Sequence, residues 1–212
     1  PGLINAIRGM VDQLKAANKD YEDAFKAGAD FKTLNRLIKK REKIYIFLRK
    51  QDVDVSEKGD FDEKSLENRL VEYDKTPEAQ ARTQIKISGG KFKRHDDQNV
   101  DTKDSVTFHT GMGWEIFVMS PGGAIHMASH KIGKYHHSSL LAGGNVAGAG
   151  TMKVSAGTLE EMNNKSGHYQ PDETHTRQVV RRLQKQNVPL DFTLEIMGSF
   201  KGKAQDFLSV GG

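Results

Sequence analysis

Trp114-Glu115-Ile116-Phe117-Val118-Met119 is a run of aromatic, aliphatic and β-branched residues, and Pro121-Gly122-Gly123 follows it almost at once. Such runs favour β-strands, and the Pro-Gly-Gly sequence favours a tight turn. Residues 124 to 128 can then form a partner strand. This stretch therefore predicts a β-hairpin and gives the C-terminal part of the chain its β character.

Similar patterns on both sides of this hairpin predict the other C-terminal elements. They are a second hairpin made by residues 151–154 and 159–162, a helix over 174–186 with Val179, Val180 and Leu183 on one face, and a last strand over 188–197.

The first half of the chain has helical periodicity. An apolar stripe at spacings of three and four residues predicts one helix; its members are Ile4, Ile7, Val11, Leu14, Ala17 and Tyr21. Gly28 can end that helix, and Asp30 can cap a second one. The character of the sequence changes near Ser88-Gly89-Gly90.

We therefore expect an α+β fold in which a helical N-terminal segment precedes a small mixed or antiparallel split β-core with one or two helices. The predicted domains are a helical N-terminal region, 1–88, and an α+β catalytic domain, 89–212.

Composition excludes some classes of site. The chain has 212 residues and no cysteine, so disulfides, thiol nucleophiles and cysteine-ligated metals are excluded. No apolar run is long enough to predict a membrane span. Because the sequence begins Pro1-Gly2-Leu3 without a methionine, we expect a piece of a longer polypeptide.

The net charge of +4 is unevenly distributed. Lys32 to Lys50 holds eight basic residues and one acidic residue, a local charge of +7. Such a helix can bind nucleic acid, an acidic partner or a membrane surface, and it can also be only a solvated face with an apolar back.

Histidines cluster in the C-terminal part, where seven of the eight lie between His109 and His175. Two blocks stand out, 135–144 and 166–171, and the stretch 145–150 between them consists mostly of small residues. Small residues let the backbone approach a ligand or another element closely. The alternative is structural: His137 and Ser139 satisfy buried backbone groups, and the glycines pack a helix against the sheet.

Metal binding is not predicted, although His126/His130 and His136/His137 form pairs. Neither pair has a helical metal-binding arrangement, and adjacent histidines in a strand point to opposite faces.

Three blocks resemble the central domain of the plant IQ-motif-containing calmodulin-binding proteins. They are Trp114–Ser120, His137-Ser138-Ser139-Leu140-Leu141-Ala142-Gly143-Gly144, and Ser166-Gly167-His168-Tyr169-Gln170-Pro171 with Glu173. The IQ motif itself is not evident, so the resemblance does not imply calmodulin binding.

The same blocks resemble the C-terminal cargo of bacterial Rhs-type polymorphic toxins, and Pro1-Gly2-Leu3 is similar to the end of the Rhs self-cleavage site. This resemblance implies a secreted effector of interbacterial competition, delivered into the cytoplasm of a target cell and neutralised by a cognate immunity protein.

A further, fold-level likeness to ADP-ribosyltransferases implies that NAD is the substrate and that ADP-ribose passes to a macromolecule, with structured RNA held by the Lys32–Lys50 helix as one candidate. It implies catalytic roles for His137, Ser139, His168, Tyr169 and Glu173. It implies cofactor contacts from Tyr135, Ser138, Gly143, Gly144, Ser166 and Gly167.

Three questions stay open at the level of the sequence. Glu195 competes with Glu173 as the catalytic carboxylate. A metal-free RNase using His137 and His168 as acid and base is an alternative reaction. A binding module without catalysis is the third possibility.

Overall fold

The computed structural model describes residues 2–67 and 69–210. Pro1, where the similarity to the self-cleavage site begins, lies outside the described residues. The chain forms two compact units: an N-terminal unit of residues 1–70 with 131–134, and a sheet unit of residues 71–130 with 135–212. The division into separate domains at residue 88 stays a prediction.

The N-terminal unit contains helices α1 (Gly2–Lys26), α2 (Phe31–Lys50) and α3 (Lys64–Glu67). α1 and α2 pack together as a helical hairpin. Ile7, Val11, Leu14 and Ala17 of the predicted stripe are buried. The turn between the two helices uses Gly28 at a φ of 71°.

The sheet unit contains the remaining elements. In chain order they are α4 (Pro77–Thr83), β1 (Gln84–Ser88), β2 (Lys91–Lys93), β3 (Val106–Thr107), β4 (Gly111–Met112), β5 (Glu115–Met119), β6 (Ile125–Ala128), α5 (His137–Leu140), β7 (Gly148–Ser155), β8 (Thr158–Asn163), α6 (Glu173–Lys185), β9 (Thr193–Ile196), β10 (Phe200–Lys203) and α7 (Ala204–Ser209).

Within the described residues, eight strands form one sheet in the order β10-β9-β8-β7-β5-β6-β1-β2, and β3 and β4 form a separate pair. The pairings in the sheet are antiparallel except between β8 and β9, where Glu161 is opposite Thr193 and Asn163 is opposite Glu195. α6 lies in the connection between these two parallel strands, as parallel pairing requires a long crossover.

β5 is buried on both faces, because successive side chains of a strand point to opposite sides of the sheet. Phe117 and Met119 belong to the main core, which includes residues of α6 and α7. Ile116 and Val118 face a smaller core with Leu140 of α5.

The α+β prediction is confirmed, and both predicted hairpins and the helix over 174–186 are present within a few residues of the expected bounds. The last segment differs. Only Thr193–Ile196 of residues 188–197 is a strand, and it is followed by β10 and α7, which the sequence analysis did not predict.

Candidate functional site

Within the first block, residues His137–Leu140 form the short helix α5. His137 is only 4% exposed. Its Nε2–H donates to the carbonyl oxygen of Gly150 at 2.7 Å. Burial is the main cause that lowers the pKa of His137 to about 4, so the ring is neutral near pH 7.

The two serines of α5 are also inside the fold. Ser139 is fully buried, and its hydroxyl accepts a hydrogen bond from the backbone N–H of His136 at 2.9 Å. Its carbonyl oxygen accepts from the N–H of Asp74 at 2.8 Å. The carbonyl of Ser138 accepts from the N–H of Gly143 at 2.7 Å. These contacts cap and anchor α5, as the structural alternative predicted.

Two hydrogen-bonded histidines, His130 and His136, lie beside α5. The N–H of Phe108 donates to Nδ1 of His130 at 3.1 Å, so that nitrogen is an acceptor. The proton of His130 is then on Nε2, which lies 2.8 Å from Nδ1 of His136 and donates to it. Burial lowers the pKa of His130 to about 3, and neighbouring histidines add to the effect.

The two sequence blocks meet through Tyr169. Its hydroxyl donates to the carbonyl oxygen of Gly144 at 3.1 Å, and its ring packs on the smaller core. Tyr135 packs on the same core, and its hydroxyl donates to the carboxylate of Asp74. Burial is the first cause that raises the pKa of Tyr135, so this phenol stays protonated.

The remaining predicted residues lie nearer the surface. His168 is exposed, and its ring contacts the ring of Tyr169 edge-on at 4.8 Å. Glu173 is exposed at the start of α6 and pairs with Arg177 at 3.2 Å. Glu195 is half-buried in β9, where Lys165 lies 3.6 Å from its carboxylate.

The glycines of the small-residue stretch have a packing role. A Cβ on Gly148 would lie 2.2 Å from Cγ2 of Val179 in α6. A Cβ on Gly150 would lie 1.8 Å from the carbonyl oxygen of Asn163 in β8. These positions therefore admit close approach of a helix and a neighbouring strand rather than of a ligand.

An open cavity of about 640 Å³ lies beside the second block. It is lined by His109, Asn164, Lys165, Ser166, Gly167, Gln170, Pro171 and Met197. Of the predicted site residues, only Ser166 and Gly167 line it. The other lining residues were not predicted as site residues. They come from three separate segments of the chain, and the sequence around Asn163-Asn164-Lys165 indicated only a turn.

Asn164 holds two walls of this cavity together. Its Nδ2 donates to the carbonyl oxygen of Pro171 at 2.9 Å, and its Oδ1 accepts from the N–H of Met197 at 3.0 Å. The loop of residues 164–171 and the end of β9 are therefore fixed to each other by one amide.

The cavity is polar on one side and apolar on the other. Lys165 contributes an ammonium group, whose ion pair with Glu195 is longer than a hydrogen bond. Burial and the charge of Lys165 lower the pKa of His109, which favours a neutral ring. Met197 is 64% exposed and offers a flexible apolar side chain.

Two kinds of feature are absent from the described residues. No group of three or more histidine, aspartate or glutamate side chains in residues 2–67 and 69–210 is arranged to hold a metal ion. No helix in these ranges is both long enough and apolar enough to span a bilayer.

Comparison with known proteins finds a family match that lies mostly in the sheet unit. Residues 80–176 match the model of the IQ motif-containing protein middle domain. Over this span the chain is similar to that family. The matched span contains every residue that lines the cavity except Met197.

Individual relatives agree. The chain is 30% identical to the IQ domain-containing protein IQM2 of Arabidopsis thaliana over 125 residues, which are 59% of this chain and 20% of that protein. It is 38% identical to IQM3 of the same plant over 81 residues, or 38% of this chain and 18% of IQM3. The match therefore spans about a fifth of these relatives. No solved structure matches the chain significantly.

These matches correct the expectation of a bacterial Rhs-type toxin, because the family and the relatives are plant IQ-domain proteins. The expectations of interbacterial competition and of a secreted effector fall with it, and the immunity protein has no support. The predictions of ADP-ribosyl transfer and of NAD as its substrate are also wrong, because the matched family and relatives are IQ domain-containing proteins.

The geometry gives a physical reason for the same correction. The expected acid–base residue His137 is buried and bonded to a backbone carbonyl, and the hydroxyl of Ser139 is fully buried. Neither group lines the open cavity described above. The RNase alternative relies on the same buried His137 and gains no support from the structure, and RNA loses its role as an acceptor of ADP-ribose.

Proposed function

We propose that the chain is a non-catalytic binding module, and that the cavity beside residues 164–171 docks a short segment of a partner protein. The observation that carries this proposal is the Asn164 amide, which fixes both walls of the cavity. The similarity to IQ domain-containing proteins supports binding rather than catalysis.

The cavity has the size and chemistry of a peptide-docking site. About 640 Å³ falls within the usual range for binding pockets. Met197 and Pro171 offer apolar contact. The ammonium group of Lys165 has three donors, so it can bind a carbonyl or carboxylate and still keep its ion pair with Glu195. The occupant that fits is an apolar side chain next to an acceptor group.

A displayed library of random dodecapeptides, panned against the chain, tests this. An enriched peptide is synthesised with a fluorophore, and its affinity is measured by anisotropy. Met197→Asp should weaken binding at least tenfold, since a carboxylate would replace the apolar contact. Met112→Asp is the matched control, because Met112 is also exposed but does not line the cavity.

Two results would overturn the proposal. One is the enrichment of no peptide. The other is an enriched peptide that binds both methionine variants as tightly as the unsubstituted chain, because its site then lies elsewhere.

A further inference from the structure

Two phenylalanines are exposed at the closed end of the α1–α2 hairpin. Phe25, in the last turn of α1, is 63% exposed, and Phe31, the first residue of α2, is 83% exposed. The turn between them is well defined, since the Asp30 side chain accepts from the N–H of Thr33 at 2.7 Å. Two large apolar side chains are thus exposed on either side of one ordered turn.

A basic face of α2 begins at the same end. Its residues recur at helical spacing, so they lie on one side of the helix. They are Lys32, Arg36, Lys39, Lys40 and Lys43, and they line a shallow depression of about 840 Å³ with Thr33 and Asn35. The face is about 16 Å long at the helical rise per residue.

Few of these basic groups form a close ion pair, although the carboxylate of Asp30 is near enough to Arg36 to interact with its charge. In the described part of the chain, one of the five basic residues forms an ion pair: Lys40 lies 3.7 Å from Asp20 of α1. Such a face attracts anionic groups, and the attraction is strongest at low ionic strength.

We infer that the hairpin end docks on the surface of a membrane that contains anionic lipids. The phenylalanines enter the boundary between headgroups and acyl chains, while the ammonium and guanidinium groups contact headgroup phosphates and carboxylates. Each basic residue near such a surface contributes about fivefold to affinity. Apolar insertion and electrostatic attraction to anionic lipids therefore act at the same end of the hairpin.

The phenylalanines favour lipid over RNA as the occupant. RNA phosphates would also bind the basic face, because their attraction to cations does not depend on sequence. A phosphate backbone, however, gives no apolar environment to side chains at a helical turn. A partner can therefore contact both the phenylalanines and the basic face only if it has an apolar layer beneath its charged groups.

Co-sedimentation with vesicles tests the inference. One set contains phosphatidylcholine alone, and the other contains 30% phosphatidylserine. The chain should partition at least tenfold more strongly to the anionic set, and high salt should remove most of the difference. Lys39→Glu/Lys43→Glu should reduce partitioning at least tenfold, and Phe25→Ser/Phe31→Ser about tenfold.

Matched variants control for charge and exposure. Lys75→Glu/Lys185→Glu makes the same change of charge at exposed positions of the sheet unit, and Leu70→Ser removes an apolar side chain that is 81% exposed. Both should partition like the unsubstituted chain. Far-UV circular dichroism checks that every variant keeps its helices.

Three outcomes would overturn the inference. One is equal partitioning to both vesicle sets. Another is equal loss in the control variants. The third is tight binding of a 20-base-pair RNA in a gel-shift assay that the serine variants leave unchanged, with no binding to vesicles, which would assign the basic face to RNA.

Discussion

The Nε2–H of His137 donates to the carbonyl oxygen of Gly150, 2.7 Å away, so the first helical residue of α5 is bonded to the backbone of β7. A neutral ring makes this bond without a buried charge. Protonation would place a cation where little water can reach it.

This relationship predicts loss of stability in mild acid. The pKa of His137 falls from 6.5 to about 4 on folding, and that of His130 falls to about 3. Below pH 6.5 the unfolded chain takes up protons that the folded chain does not, so the free energy of unfolding decreases as the pH falls from 6.5 toward 4. Above pH 6.5 this contribution is complete. The expected loss is a few kcal/mol, measured by urea unfolding across this range.

His137→Asn tests the origin of the slope. This variant should be less stable at every pH, but its stability should change less between pH 6.5 and pH 4. His95→Asn replaces an exposed histidine and should keep the slope of the unsubstituted chain. If the free energy of unfolding of His137→Asn changes with pH as steeply as that of the unsubstituted chain, the slope does not come from His137.

Gly150 should tolerate no side chain. A Cβ there would lie 1.8 Å from the backbone oxygen of Asn163, and backbone in the middle of a sheet cannot easily move away. Gly150→Ala should lower the free energy of unfolding by about 3 kcal/mol or prevent folding. Gly122→Ala is the control, since its nearest neighbour, the Ser120 hydroxyl, is 3.8 Å away. Comparable urea midpoints for the two variants would contradict the prediction.

The buried carboxylate of Glu115 should depend on Arg94. Arg94 Nη2 donates to Oε1 of Glu115 at 2.5 Å, Ser105 donates to the same oxygen at 2.8 Å, and Glu115 is 3% exposed. Arg94→Ala leaves this charge uncompensated and should lower the free energy of unfolding by about 3 kcal/mol.

A second substitution separates charge from packing in that pair. Glu115→Gln in the Arg94→Ala background removes the buried charge and should recover much of the lost stability. Lys86→Ala breaks the exposed pair with Asp97 and should change stability by less than about 1 kcal/mol. No recovery in the double variant would mean that Arg94 acts through packing alone.

Local signals explain which elements were predictable. The β5–β6 hairpin follows from an apolar run and a Pro-Gly-Gly turn, and α6 follows from its apolar face and from Asp172, which accepts from the N–H of His175. α5 was missed because four residues carry too little periodicity for a helix. β10 was missed because Phe200-Lys201-Gly202-Lys203 is a strand only through pairing with β9.

The candidate site was harder to predict, because burial and assembly depend on the whole fold. The sequence predicted a catalytic role for His137. In the fold, its side chain points into the protein and bonds to the backbone of Gly150. The cavity combines His109, residues 164–171 and Met197, and only the parallel pairing of β8 with β9 brings Met197 to the loop. The structural alternative for His137 and Ser139 was the better prediction.

Parallel pairing of β8 with β9 has a consequence for where this fold can be cut. The span that matches the family model ends at residue 176, inside α6. Nine of the 20 buried residues described in the main core come after that point. A polypeptide trimmed to this matched span would expose one side of β8 and lose almost half of the buried residues of its main core. The C-terminal boundary for expressing this module should therefore lie after α7 and not at the end of the family match.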